Sequence, residues 1–258
     1  MMKTNFMLSL VALVVMTMTS CVSVNLGNND KDSTPSQVQQ LNQVTTMQPF
    51  DGVDIANAFK VIYDQGTEYS VRIEATEQAL KEMTVYVKDR ELRVRKAVSK
   101  PTVEFKNVKI YVTSPDIQSI ELAGSGMFAA SNPITASKNL DVDLAGSGKV
   151  LLAAVSCHNS HLDIAGSGNI EFGNLKANEV KAEIAGSGNV SLGVLTCKNF
   201  IADIAGSGDV NCDNITADNA HADIAGSGSV TLKGTVGSIT KDIAGSGKVN
   251  VSGLEVKN

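Results

Sequence analysis

Tryptophan is missing from this 258-residue chain, aromatics of every kind make up 4% of it, and it holds only five prolines. A core built around large rings is therefore excluded, and the interior must be assembled from many small aliphatic contacts. Arginine is confined to Arg72, Arg90, Arg93 and Arg95, and all four tyrosines also fall within residues 47–122. With a formal charge of −5 and no basic cluster, nucleic acid and an anionic membrane surface are excluded as the main partner. Long apolar runs are lacking too, except Phe6 to Met18, which is too short to span a bilayer as a mature helix. What the chain has instead is glycine, 22 residues of it, placed at regular intervals.

The N-terminus reads as a targeting segment. Lys3 precedes the apolar run, and Met18-Thr19-Ser20-Cys21 closes it with small residues and a cysteine. Residues 1–20 are expected to be a signal peptide. The cysteine at the cut resembles a bacterial lipoprotein lipobox, with Met18 where leucine is more usual. That resemblance implies lipid attachment at Cys21 and a membrane partner through the anchor, with about 0.8 kcal/mol of membrane affinity per buried CH₂. Residues 21–46 are rich in Asn, Asp, Ser, Gln and Thr, without a sustained period, and are expected to form a lipidated tether. The expected location is the cell envelope, as an outer-membrane lipoprotein, with the periplasmic or surface face left open.

From residue 123 the tetrapeptide Ala-Gly-Ser-Gly recurs at Ala123, Ala145, Ala165, Ala185, Ala205, Ala225 and Ala244, with spacings of 22, 20, 20, 20, 20 and 19. A near-constant period of this length marks a solenoid. Within one period the apolar positions fall into three runs of period two: Ile170 and Phe172, Leu175 and Ala177, then Val180, Ala182 and Ile184. Residues 123–258 are thus expected to be an all-β, three-sided parallel β-helix, each strand lying roughly 4.8 Å from its copy in the next coil. The chiral preference of parallel crossovers points to a right-handed coil. The two glycines flanking serine answer a corner where φ turns positive. A phosphate cradle does not fit, because a strand and not a helix follows each tetrapeptide. Residues 47–122 alternate in Val53 and Ile55, Val71 and Ile73, Leu92 and Val94, and are expected to be a strand-rich region capping the solenoid.

The succession Asp163-Ile164-Ala165-Gly166-Ser167-Gly168, repeated as Glu183 to Gly188, Asp203 to Gly208 and Asp223 to Gly228, resembles the "putative auto-transporter adhesin" family with the head GIN domain. The resemblance runs from about Phe50 to the C-terminus. It implies a right-handed β-helical fold and an adhesin-like role, and supplies no functional residues.

One outward column invites a chemical reading: Glu121, Asp143, Asp163, Glu183, Asp203, Asp223 and Asp242, each two residues before the alanine of its turn. Neighbouring carboxylates at coil spacing repel by about 0.9 kcal/mol in water and more when desolvated. Three readings are open: the acids accept hydrogen bonds from the corner, they are neutralised by Lys181, His161 and His221 on the same wall, or they hold a row of divalent cations. The expectation is structural, with no metal. Cys157 and Cys197 share a phase two coils apart, roughly 9.6 Å, beyond disulfide reach, and Cys212 lies on another wall. His158 is isolated, and His161 and His221 are three coils apart, so no catalytic arrangement and no cofactor is expected.

These features point to a non-enzymatic, adhesin-like binding or structural scaffold, with a glycan or protein as the ligand. One alternative is a β-helix polysaccharide-degrading enzyme, which predicts a local break in the repeat where an acid pair meets a base. Another is a self-associating structural protein, a homo-oligomer built on flat walls. A repeat spreads the same chemistry over seven places and marks none as special.

Overall fold

The computed structural model describes residues 41–97, 105 and 108–257. The signal peptide of residues 1–20, Cys21 and the tether as far as residue 40 lie outside the described residues. In chain order the elements are β1 (Leu41–Thr46), β2 (Gly52–Ala56), β3 (Lys60–Gln65), β4 (Ser70–Ala75), α1 (Glu77–Lys81), β5 (Met83–Lys88), β6 (Glu91–Lys96), β7 (Lys109–Ser114), β8 (Ser119–Gly124), β9 (Met127–Ala130) and β10 (Ile134–Thr135). There follow β11 (Leu140–Gly146), β12 (Lys149–Ser156), β13 (Asn159–Gly166), β14 (Asn169–Lys176), β15 (Glu179–Gly186), β16 (Asn189–Thr196), β17 (Asn199–Gly206), β18 (Asp209–Gly226), β19 (Ser229–Gly245) and β20 (Lys248–Val256).

The repeats form a three-sided parallel β-helix. One wall stacks β8, β11, β13, β15, β17 and the C-terminal halves of β18 and β19, each paired in parallel with the strand one coil away. The other two walls come from β12, β14, β16 and the N-terminal parts of β18, β19 and β20, stacked in the same way. Where the sequence period suggests two separate strands, β14 runs through both walls and bends at Gly173, which the register skips between Phe172 and Asn174. A side chain there would strike the Ala153 carbonyl of the coil below. The inward residues Ile170, Val180, Ala182, Val190, Leu195 and Ile215 are fully buried. Ser160 is a buried polar residue in the inward column, and its Oγ donates to the Leu140 carbonyl at 3.1 Å.

The corner is held by backbone. Ser167 N donates to Gly146 O and Ser187 N to Gly166 O, both at 2.8 Å, so each corner hangs on the one beneath it. Its two glycines have different reasons. The first turns at positive φ, 131° at Gly166, whereas the second is demanded by close approach: a Cβ on Gly168 would lie 2.5 Å from a Leu144 methyl.

The solenoid starts well before the first tetrapeptide. β2 pairs in parallel with β8, and β3 with β9, so Gly52 to Gln65 already make a coil. A further coil lies outside it, because β6 pairs with the other edge of β2, and β7 with that of β3. The chain therefore lays down its second coil first, steps outward, then returns past it at β8. The outer edges end in antiparallel partners: β5 on β6, β4 on β7 and β1 on β4. An antiparallel strand cannot continue the parallel coil and closes this end. Residues 41–46, assigned to the tether from their polar composition, are the last of these strands, their backbone groups paired with β4. Helix α1 is a single short turn region capped by Thr76, whose Oγ1 accepts from Ala79 N at 3.1 Å.

The aromatics gather at this end. Tyr63 stacks on Phe128 at 5.8 Å, Phe59 meets Phe105 edge-on at 5.2 Å, and Phe50 meets Tyr69 at 5.5 Å. Tyr63 is buried, bonds Ser114 Oγ at 3.1 Å, and its phenol is pushed up to about 12 by burial. The opposite end has no such cover among the described residues. Ile243 is 47% and Val256 49% exposed, and Ile239, Val249 and Leu254 are half-buried. Lys241 pairs with Ala222 and so occupies the core-facing column of the last coil.

Candidate functional site

The acidic ladder is a real column. Glu121, Asp143, Asp163, Glu183, Asp203, Asp223 and Asp242 lie opposite one another from coil to coil on the outer face of one wall. The structure adds Asp54, which pairs with Glu121. Its signal in the sequence is Asp54-Ile55-Ala56-Asn57, a worn copy of Asp-Ile-Ala-Gly in which Asn57 takes the corner at φ 83°. Asparagine is among the few residues that tolerate such a corner, and without the glycines the copy escapes a search for the tetrapeptide.

Corner capping does not explain these acids: among the described residues no ladder carboxylate accepts a hydrogen bond from a corner serine, whose backbone N–H is spent on the coil below. Neutralisation does operate, unevenly. Lys181 Nζ lies 2.8 Å from Glu183 and 3.4 Å from Asp203, and His161 Nε2 lies 2.5 Å from Glu183. The bond from Lys181, followed by that from His161, holds the Glu183 carboxyl below the usual range. His221 bonds Thr240 Oγ1 at 2.7 Å and leaves the ladder alone. Towards the capped end, burial followed by the charges of Glu91, Asp54 and Asp143 pushes Glu121 up, and burial followed by Asp163 pushes Asp143 up. Oxygens of Asp54, Glu91 and Glu121 lie within 4.8 Å of one another, but Arg95 pairs with Asp54, and Arg93 with Glu91 at 2.7 Å. Two of the three acids in that group already face a cation. Between Glu183, Asp203, Asp223 and the alanines beside them runs a shallow groove of about 480 Å³.

A second depression, of about 420 Å³, sits at another corner and is lined by Gln118, Ser137, Lys138, Asn139, Asp141 and His158. It lies where the repeat spacing stretches to 22, in the segment leading from β10 to β11. The stretch is pinned. Ser137 donates to Asp116 through N at 2.9 Å and through Oγ at 2.5 Å, and Gln118 Nε2 donates to Asp116 Oδ2 at 2.7 Å. Burial works to raise the Asp116 carboxyl, but these donors hold it below the ordinary value. Gln65 adds two bonds to Thr135, donating to its carbonyl and accepting from its N–H, both at 2.8 Å. Lys138, His158 and Asp141 carried no distinguishing pattern in the sequence, because only tertiary stacking brings them to one corner.

Cys157, Cys197 and Cys212 are free, and burial pushes their thiols up, to about 11 for Cys157 and about 12 for the other two. They are inert core residues. The tyrosines and arginines of the first coils are likewise engaged locally: Arg90 pairs with Asp51 at 2.9 Å, and Arg72 lies 3.6 Å over the Tyr111 ring.

The model of the family "Putative auto-transporter adhesin, head GIN domain" matches residues 49–212 and 193–258. The chain belongs to that family. Among solved structures it is similar to a "putative adhesin" from Bacteroides fragilis, with 26% identity, a TM-score of 0.77, and coverage of 84% of this chain and 98% of the other. A "putative adhesin" from Parabacteroides distasonis shares the fold at 18% identity and TM-score 0.69, over 83% of this chain and 98% of its own. A "putative lipid binding protein" from the same organism shares it at 22% identity and TM-score 0.67, over 82% and 96%. No curated protein matches the chain.

In this head GIN protein the uneven ladder has a consequence for stability. Glu121 and Asp143 bind protons more tightly folded than unfolded, so their ionised forms weigh against the fold near neutral pH, and the penalty lifts as pH falls through their raised values. Glu183 has the opposite sign: its contribution is present above the ordinary carboxylate value and is lost as pH falls through the lowered one. Glu121→Gln is therefore expected to raise the melting temperature near pH 7 by about 2 °C, a small effect because the carboxyl is only partly buried, and Glu183→Gln to lower it. Thermal scans between pH 4 and 8 check both signs.

Proposed function

We propose that the protein is a non-enzymatic, adhesin-like scaffold of the cell envelope, held at the outer membrane by lipid on Cys21 and presenting its solenoid to a glycan or protein ligand. The observation that carries this reading is how the outward polar side chains of the repeats are used. Asn189 Nδ2 donates to Asn169 Oδ1 at 3.0 Å and Asn219 Nδ2 to Asn199 Oδ1 at 3.0 Å, while Ser229 Oγ donates to Asp209 at 2.5 Å and Ser238 Oγ to Asn219 at 2.9 Å. Coil by coil these groups bond one another, which makes a rigid flat wall whose function is to present a surface.

The break in the repeat at Ser137 and Lys138 is what a β-helix enzyme would also need. There, however, Asp116 is spent on holding Ser137 and Gln118, and Asp141 is the one carboxylate among the lining residues, so no second acid faces the depression to complete a pair. Family membership supports the adhesin-like role. An array of glycans and extracellular matrix proteins probed with the full chain tests the reading: selective retention on at least one class of ligand is expected, and uniform non-binding defeats it.

The anchor is tested separately. Cys21→Ser is expected to abolish incorporation of labelled palmitate and to move the protein from the membrane fraction to the soluble fraction. Unchanged labelling would overturn lipidation at this residue.

A further inference from the structure

Among surfaces built from repeated chemistry, the stretched corner is unlike the rest. Along the other coils some polar groups pair with their neighbours, as Asn169 does with Asn189, whereas at this corner the side chains of Lys138, Asn139 and Asp141 make no hydrogen bond or ion pair among the described residues. The backbone that carries them is nevertheless fixed, by Asp116 through Ser137, by Gln65 through Thr135, and by His158 N, which donates to Lys138 O at 2.8 Å. Asn132 adds a bond from Nδ2 to Asp64 Oδ1 at 2.8 Å. A loop tied down by side chains from β3 and from the segment before β8, while its own polar groups face solvent without partners, is preorganised for a ligand.

We infer that this corner binds an uncharged, hydroxyl-rich sugar unit of a glycan. Each sugar hydroxyl both donates and accepts, so its site needs acceptors and donors side by side. Asp141 supplies carboxylate acceptors, Lys138 an ammonium and Asn139 an amide, while Gln118, whose Nε2 is spent on Asp116 and Ser137, adds its Oε1 as an acceptor. Asn178 Nδ2 donates to His158 Nδ1 at 3.1 Å, which leaves Nε2 as the ring nitrogen open to a ligand. An acidic sugar is disfavoured because Asp141 sets a carboxylate in the lining and Asp143 follows it on the same outward face of β11. A peptide strand would call for apolar pockets or a free sheet edge, and the corner has neither among its lining residues. The volume of about 420 Å³ admits one or two sugar rings. With no Phe, Tyr or Trp in the lining to stack against a ring, single-site binding is weak, on the order of millimolar, and useful affinity comes from many copies on one surface.

The inference rests on the adhesin-like reading and names a ligand and place for it. The chain contains three histidines, of which His158 lines the corner while His161 and His221 stand on the ladder wall. Imidazole NMR of the full chain, titrated with a panel of neutral and acidic oligosaccharides at tens of millimolar, should move the His158 resonances with a neutral member and leave His161 and His221 in place. Asp141→Asn and Lys138→Ala should each weaken that binding by about tenfold or more without changing the circular dichroism spectrum. Array binding that survives both substitutions overturns the corner and leaves the adhesin-like reading standing. Retention on peptides or matrix proteins alone, with His158 unmoved by every sugar, also overturns it, and failure to bind anything overturns both.

Discussion

Gly166→Ala is expected to destabilise the solenoid by about 3 kcal/mol or more, whereas Ser167→Ala, one residue on, should cost less than about 0.5 kcal/mol. At Gly166 φ is 131°, where an L side chain is strained, and the added Cβ would lie 2.5 Å from the carbonyl oxygen of Gly146 in the coil below. That oxygen cannot retreat, because it accepts the hydrogen bond from Ser167 N at 2.8 Å. The strain is thus transmitted up and down the stack and cannot be absorbed at a single corner. Ser167 is exposed, and only its backbone is used. Urea unfolding followed by circular dichroism checks the pair; equal losses would show that the serine hydroxyl holds the corner as much as its glycines do.

The largest change in behaviour is expected from Lys241→Ile. In the core-facing column of this wall, the last coil carries Ile239, Lys241 and Ile243 where the coil before carries the buried Ala220, Ala222 and Ile224. Around them lie the unpaired edges of the final strands and the half-buried Val249 and Leu254. This is the kind of exposed edge that recruits another chain, and an inward-pointing charge is a known way to blunt it. If two ends met about a two-fold axis their terminal strands would run antiparallel. Each register that keeps the apolar faces together would then bury a Lys241 ammonium against an aliphatic side chain or against its own copy. Light scattering should show a monomer turning into dimers or longer end-to-end assemblies at micromolar concentration once the charge is removed, with Lys241→Gln remaining monomeric. An unchanged mass for Lys241→Ile would mean that the end is protected by something other than this charge. The wall-to-wall homo-oligomer considered from the sequence is a separate question, which the same measurement on the unsubstituted chain answers.

Much of the architecture could be read along the chain because each coil is short and local: a two-residue alternation broken twice per period, then a corner. Asp163 to Gly168 and its copies encode that corner by themselves. The first coils were harder to see. Asp54-Ile55-Ala56-Asn57 keeps the outward acid, the inward isoleucine and the positive-φ corner while changing the residue that makes it, so the physics repeats although the letters do not. The division at residue 123 followed the letters, and the solenoid follows the physics back to Gly52. The reversal of coil order at β2 and β6 leaves no local trace either, since both strands read alike and only their neighbours distinguish them. On the ladder the column itself was legible from phase. Which acid meets a base was not, because Lys181 reaches across to Asp203 on the next strand as well as to Glu183 on its own.

The sequence by itself determined the repeat, the three walls, the inward residues and the need for glycine at each corner, because all of these follow from spacing within twenty residues and from sterics that act between identical neighbours. Only the tertiary structure decided where the regularity ends: how antiparallel strands close one end, how Lys241 stands in the open one, and how Gln65, Asp116 and His158 meet around the stretched corner. The bonds that join separate segments at that corner link residues 19 to 70 positions apart along the chain. A one-dimensional pattern records what each coil shares with the next, and a binding surface is made of what one coil does not share.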